Sequence, residues 1–136
     1  MSDRKPTAQD VITTANAASQ ALATLEQQLQ SEIDAIDRKA FQENRELTDA
    51  EKQVRADRSA AIENVRDSFR VLGFVTAQRL DATGDVGQLL GQVTDVNAGL
   101  ADDLATLKKI AAYAAIAVKV ADALAQAAKQ LAAFGA

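Results

Sequence analysis

The stretch VITTANAASQALATLEQQLQSEIDAIDRKA, residues 11–40, decides the fold class. Its apolar side chains fall at Val11, Ala15, Ala18, Leu22, Leu25, Leu29, Ile33, Ile36 and Ala40, in alternating steps of three and four over about four heptads. Only an α-helix, turning 100° per residue, gathers such positions onto one side. The opposite side is Gln, Glu, Asp and Lys, and Asp34–Arg38 and Lys39–Glu43 are i,i+4 pairs that suit a solvated helical face. Pro6 precedes the stripe, and Thr7 and Asp10 have the spacing of an N-cap and its reciprocal acid. A first helix is therefore predicted over about residues 7–46.

Working outward, Thr48-Asp49-Ala50-Glu51 is a capping box that opens a second helix after a tight turn, so the first two helices are antiparallel neighbours. The second helix is predicted over about 49–83, with a stripe of Val54, Ala61, Ile62, Val65, Phe69, Leu72, Thr76 and Leu80, and with Gly84 as a left-handed C-terminal cap. Asp85 and Gln88 repeat the cap pattern and open a third helix over about 85–134. Leu89, Val93, Val96, Leu100, Leu104 and Leu107 begin its stripe. Ile110, Tyr113, Ala117, Val120, Leu124, Ala127, Leu131 and Phe134 continue it, beside a second seam of Ala114, Ala121 and Ala128. An apolar face this wide needs two partner helices.

The lengths do not match, because a continuous third helix of about 49 residues runs ~74 Å against ~58 Å and ~53 Å for the others. Gly87, Gly91 and Gly99 each weaken its first part by roughly 1 kcal/mol. The expectation is a single all-α domain over residues 1–136. It is an elongated antiparallel bundle of three long amphipathic helices, with a short fourth if the chain breaks near Asn97–Gly99. The unbroken stripe favours continuity and the glycines favour the break.

Composition removes much chemistry. The chain has 136 residues, 48% hydrophobic but only 4% aromatic, so the core is Ala, Leu, Val and Ile. It has no Cys and no His, which excludes thiolate nucleophiles, disulfides and the usual transition-metal ligands. Net charge is −4, so no nucleic-acid partner is expected, and nothing calls for a cofactor. Met1 to Asp10 is polar, without the apolar core of a secretory signal. The apolar runs Ile110–Val118 and Val86–Thr94 are nine residues each, too short to span a bilayer. A cytoplasmic, non-enzymatic protein is the expectation. Gly84, Gly87 and Gly91 lack dinucleotide-loop spacing, and Asp95-x-Asn97-x-Gly99 fails as a calcium loop because Leu100 and Thr106 occupy its sixth and twelfth positions.

The residues that bundle logic leaves over are the candidates for contact with a partner. Val71, Phe74 and Val75 lie off the predicted stripe, with Phe74 nine residues and 900° from Val65, on the opposite side. Gly87 and Gly91 form a small-residue face. Arg58 falls on the core face between Val54 and Ala61, where it either snorkels to solvent or makes an interhelical ion pair. These features suggest a helical interaction or assembly module, with a second copy or another helical protein as partner. The C-terminal helix, with Lys108, Lys109, Lys119 and Lys129 against a wide apolar face, also suits a lipid or granule surface. Its Asp-first, Lys-last charge order follows the helix macrodipole.

Three resemblances accompany this reading. Leu29-Gln30-Ser31-Glu32-Ile33-Asp34-Ala35-Ile36-Asp37 resembles the opening of the all-helical chorismate mutases, which would imply an entwined dimer and catalysis without His or Cys. The chain departs from that pattern at Gln30, where the family has an arginine for a substrate carboxylate, and it lacks the later lysine. In composition the C-terminal helix resembles the phasins of polyester granules or one arm of a helical pore-forming toxin, which would imply action at an apolar surface.

Overall fold

The computed structural model describes residues 5–135, so Met1 to Arg4 of the polar start and Ala136 lie outside the described residues. Among the described residues four helices follow one another: α1 Ala8–Gln42, α2 Asp49–Leu80, α3 Val86–Lys108 and α4 Ala114–Ala133. α1 packs on α2 and α4, α2 packs on α3, and α3 packs on α4, which is an up-down-up-down four-helix ring.

Local chemistry sets the helix ends. Thr7 accepts from the Asp10 N–H and Thr48 from the Glu51 N–H, and each acid reaches back to the cap's own N–H. Asp85 accepts from the Gln88 N–H at 3.0 Å. α1 stops at Gln42, short of the expected 46, because Asn44 turns left-handed at φ 52°. The Arg45 and Asn44 N–H groups then donate back to the Ala40 and Phe41 carbonyls, closing a Schellman turn. α2 ends the same way at Leu80, with Ala82 at φ 55° in the left-handed position and Gly84, at φ 78°, two residues beyond.

The α1 stripe packs as read: Val11, Ala15, Ala18, Leu22, Leu25, Leu29, Ile33 and Ala40 are buried and Ile36 is half-buried. The α2 stripe is rotated from its prediction. Its buried line is Arg58, Ala61, Val65, Ser68, Leu72, Val75 and Arg79, again in threes and fours, while Phe69 is 48% exposed. Three polar residues stand in this line because each has an internal partner, and that of Arg58 is the Glu32 carboxylate. Ser68 Oγ donates to the Val96 carbonyl, and Arg79 Nε donates to the Leu131 carbonyl at 2.9 Å. Arg79 also donates to the Phe134 carbonyl and lies 5.9 Å from the Phe134 ring centre, so one guanidinium caps the end of α4.

The third predicted helix is two helices. α3 runs unbroken through Asn97–Gly99, and the fold-back is at residues 109–113, where neither Gly nor Pro occurs. Short-range bonds tighten the chain there, from the Lys109, Ile110 and Tyr113 N–H groups to the Thr106, Leu107 and Ile110 carbonyls. Gly91 and Gly99 face open space and cost helix propensity without breaking the helix.

Candidate interaction surface

Side-chain pairs fix how far each helix reaches. Arg66–Glu26, Arg58–Glu32 and Arg55–Asp37 register α2 antiparallel to α1. The Tyr113 hydroxyl donates to Glu32 Oε1 at 2.6 Å, which places the start of α4 beside Glu32. Arg58, Ala61, Asp103 and Leu107 line one small cavity, which places the end of α3 beside Arg58. Residues 33–42 of α1 and 49–56 of α2 therefore run on past the ends of α3 and α4 as a two-helix extension, about 12–15 Å long at 1.5 Å per residue.

A polar cluster closes the four-helix section at this step. Arg58, 9% exposed, has its Nε 2.6 Å from Glu32 Oε1 and its guanidinium carbon 5.4 Å from the Tyr113 ring centre. Burial alone would raise the Glu32 carboxyl, but the Tyr113 hydrogen bond and the Arg58 pair outweigh it and hold the group below its ordinary 4.5. Burial, then the hydrogen bond to Glu32, pushes the Tyr113 phenol up to about 12. Burial would lower the Arg58 pKa, but the Glu32 pair outweighs it and raises it further.

Beyond the step, the apolar stripes of α1 and α2 continue with no helix across from them among the described residues, while the α3–α4 turn contributes the half-buried Ile110, which packs against the core. Ile36 lies one turn after Glu32, on the side that meets α4 lower down, and Val54 lies one turn before Arg58, on the side that meets α3. Ile36, Leu47 and Val54 are half-buried, and Ala40 is covered within the hairpin. The result is a narrow ledge: a floor of the half-buried Ile36, Leu47 and Val54, and a wall made by the α3–α4 turn. At the end of α3, Lys108 lines the α3–α4 groove and Lys109 is the C-cap residue, and neither has an ion pair among the described residues.

A second apolar feature is the groove of about 420 Å³ between α3 and α4, lined by Ala101, Ala105, Val118, Ala121 and Ala125 with Lys108 and Asp122. Val118 and Asp122 also border a shallower groove towards α1.

The predicted contact residues divide. Arg58 makes the interhelical ion pair that is one of its two readings. Val71 and Val75, expected off the core, are buried at 9% and 0% exposure, because the true α2 face is rotated onto them. That burial removes them as surface contacts of this chain. Phe74 is 51% exposed and separate from them. Within the described chain no other helix closely approaches Gly87 or Gly91: a side chain at Gly91 would meet nothing, and one at Gly87 would meet only the nearby Asp85 cap. In the segment that resembles a chorismate mutase, Gln30 donates to Asp34 at 3.1 Å and both face solvent.

Sequence reasoning missed Tyr113 and Arg79 as polar anchors. For Tyr113 the signal was present, since its hydroxyl is the one polar group in an otherwise apolar heptad line, whereas Arg79 lay outside the predicted α2 stripe. Among the described residues no cluster of His, Cys, Asp or Glu is arranged to hold a metal, and no helix is long and apolar enough to cross a membrane. The chain matches no protein-family model, and neither curated proteins nor solved structures give a significant match.

Proposed function

We propose that this chain is a non-enzymatic helical assembly module that associates with itself. The observation that supports this reading is the partnerless ledge, where the core stripes of α1 and α2 run on past the end of their own bundle. A helix with a core face and no cover gains by burying it, at about 25 cal/mol per Å² of apolar surface. A coiled-coil-like pairing of helices suits the three/four spacing on both floor helices. A cytoplasmic location belongs to the same proposal.

Light scattering across concentrations tests it. Molar mass should rise above that of one chain as concentration increases, and a mass that stays monomeric into the millimolar range would refute self-association.

A second reading, action at a lipid or granule surface, draws on the exposed α4 side. There Ala115, Val118, Ala121 and Ala125 lie among Lys108, Lys119 and Lys129. The larger apolar line of α4, Ala117, Val120, Leu124, Ala127 and Leu131, is already used in the core. This reading therefore needs the bundle to open, and co-sedimentation with anionic vesicles accompanied by loss of tertiary signal would favour it.

A further inference from the structure

We infer that the ledge is filled by the α1–α2 extension of a second copy, turned end for end, so that two chains form one continuous four-helix rod. This rests on the self-association reading above and specifies its geometry.

The argument starts from shape. Each chain is a four-helix section followed by a two-helix section, and the missing half of the two-helix section is another helix pair. A two-fold axis perpendicular to the rod, passing near the middle of the extension, supplies that pair from an identical chain. Because ledge and extension are the same element, they have the same length. When the floors meet, the partner's tip reaches the wall. Under this operation α1 lies antiparallel over its counterpart and α2 over its own. Val54, close to the axis, meets the partner's Val54, and Ile36 comes opposite the partner's Ala40 region.

Charge agrees with the same placement. The tip, residues 43–52, carries the acids Glu43, Glu46, Asp49 and Glu51 against the bases Arg45 and Lys52. Arg45 is already spent on Glu43 and Glu51, at 2.8 Å and 2.7 Å. Glu46 and Asp49 are left without ion pairs among the described residues. They arrive opposite Lys108 and Lys109, which also lack partners at the C-terminal end of α3, and each contact occurs twice by symmetry. The Arg58–Glu32–Tyr113 cluster then sits at the junction, and Arg58 comes level with the partner's Asp49.

Size sets the strength. A face about 15 Å long and two helices, about 20 Å, wide presents roughly 300 Å² per copy, about 600 Å² in all, which is below the size of a stable interface, so the contact is weak and transient. Dissociation in the high-micromolar range is the expectation.

The chain has no cysteine, so a single introduced thiol reports on one place. Val54→Cys should give a disulfide-linked dimer under mild oxidation, because the two-fold brings the two β-carbons together. Ala98→Cys, on the exposed side of α3, should not cross-link. In parallel, Val54→Asp should weaken the wild-type dimer at least about 30-fold by facing two buried charges across the axis, with helicity by circular dichroism unchanged. The double variant Lys108→Glu, Lys109→Glu should also weaken it, and combination with Glu46→Lys and Asp49→Lys should restore it. A wild-type dimer that survives Val54→Asp and does not cross-link at Val54 overturns this geometry while leaving self-association intact. A wild-type chain that is monomeric at every concentration overturns both, including the case where it binds vesicles instead.

Discussion

Replacing Tyr113 by Phe isolates one hydroxyl at the step between the two sections of the molecule. The ring remains, and with it the Arg58 contact at 5.4 Å, so only the 2.6 Å bond to Glu32 and the 3.3 Å approach to the Gln28 carbonyl are lost. A hydrogen bond to a charged partner contributes about 1.5–3 kcal/mol. The Glu32 side chain is 34% exposed, and water will partly replace the lost donor, so the lower half of that range, about 1.5–2 kcal/mol, is expected. For a chain of this size that corresponds to a Tm fall of roughly 5–8 °C.

The pH dependence carries a sharper signature. The folded phenol titrates near 12 rather than at its ordinary 10, so the folded state binds that proton more tightly than the unfolded state does. Its contribution is whole below about pH 10 and is lost as pH rises towards 12. Urea denaturation of both proteins at pH 7, 9 and 11.5 should therefore show a gap that is constant up to 9 and narrows at 11.5. A gap under about 0.5 kcal/mol at pH 7, or one that does not narrow, would refute the assignment of the hydroxyl as a buried donor to Glu32.

Arg79→Met should lower the denaturant-derived stability by about 2–3 kcal/mol, because the final carbonyls of α4 lose their buried donor. Ala82→Gly should raise the urea midpoint, with a gain of about 1 kcal/mol, since the left-handed φ of 55° strains any residue with a β-carbon. Glu51 is held down to about 2, chiefly by its hydrogen bonds from Arg45 and then by the Thr48 N–H. Its contribution is therefore present above pH 4.5 and lost as pH falls towards 2, and thermal melts of Glu51→Gln should show a flatter decline over that window.

The N-terminal half of the fold was legible because its signals are local. Thr7/Asp10 and Thr48/Glu51 are capping boxes wherever the rest of the chain goes, and the α1 stripe is aliphatic throughout. The buried face of α2 differs by part of a turn from its predicted stripe because that stripe follows hydrophobicity alone. The predicted stripe includes Phe69 and omits Ser68 and Arg79, yet the last two are inside because they bond to carbonyls of α3 and α4. Those partners lie 28 and 52 residues away in sequence, beyond the reach of any periodicity reading. Once Ser68 and Arg79 enter the line, Val71 and Val75 follow them inward and Phe74 is left outside.

The fold-back at residues 109–113 was hidden for a different reason. A stripe that passes through a turn in steps of three and four looks like one helix, since each half buries the same side in its own frame. Glycine propensity pointed to Asn97–Gly99, where the cost is roughly 1 kcal/mol per residue. Burial decides otherwise. Turning after Lys108 lets Leu124, Leu131 and Val120 return to the core beside α1, and each is worth roughly 1.5–3 kcal/mol when fully covered. A turn at Asn97–Gly99 would have given a short α3 and a much longer α4, with little of α2 covered. The observed position also leaves the ledge open, because a later turn would have extended both returning helices over Ile36 and Val54. The length of the proposed docking surface is thus set by where one helix turns back, and that turn is anchored by Tyr113 to Glu32.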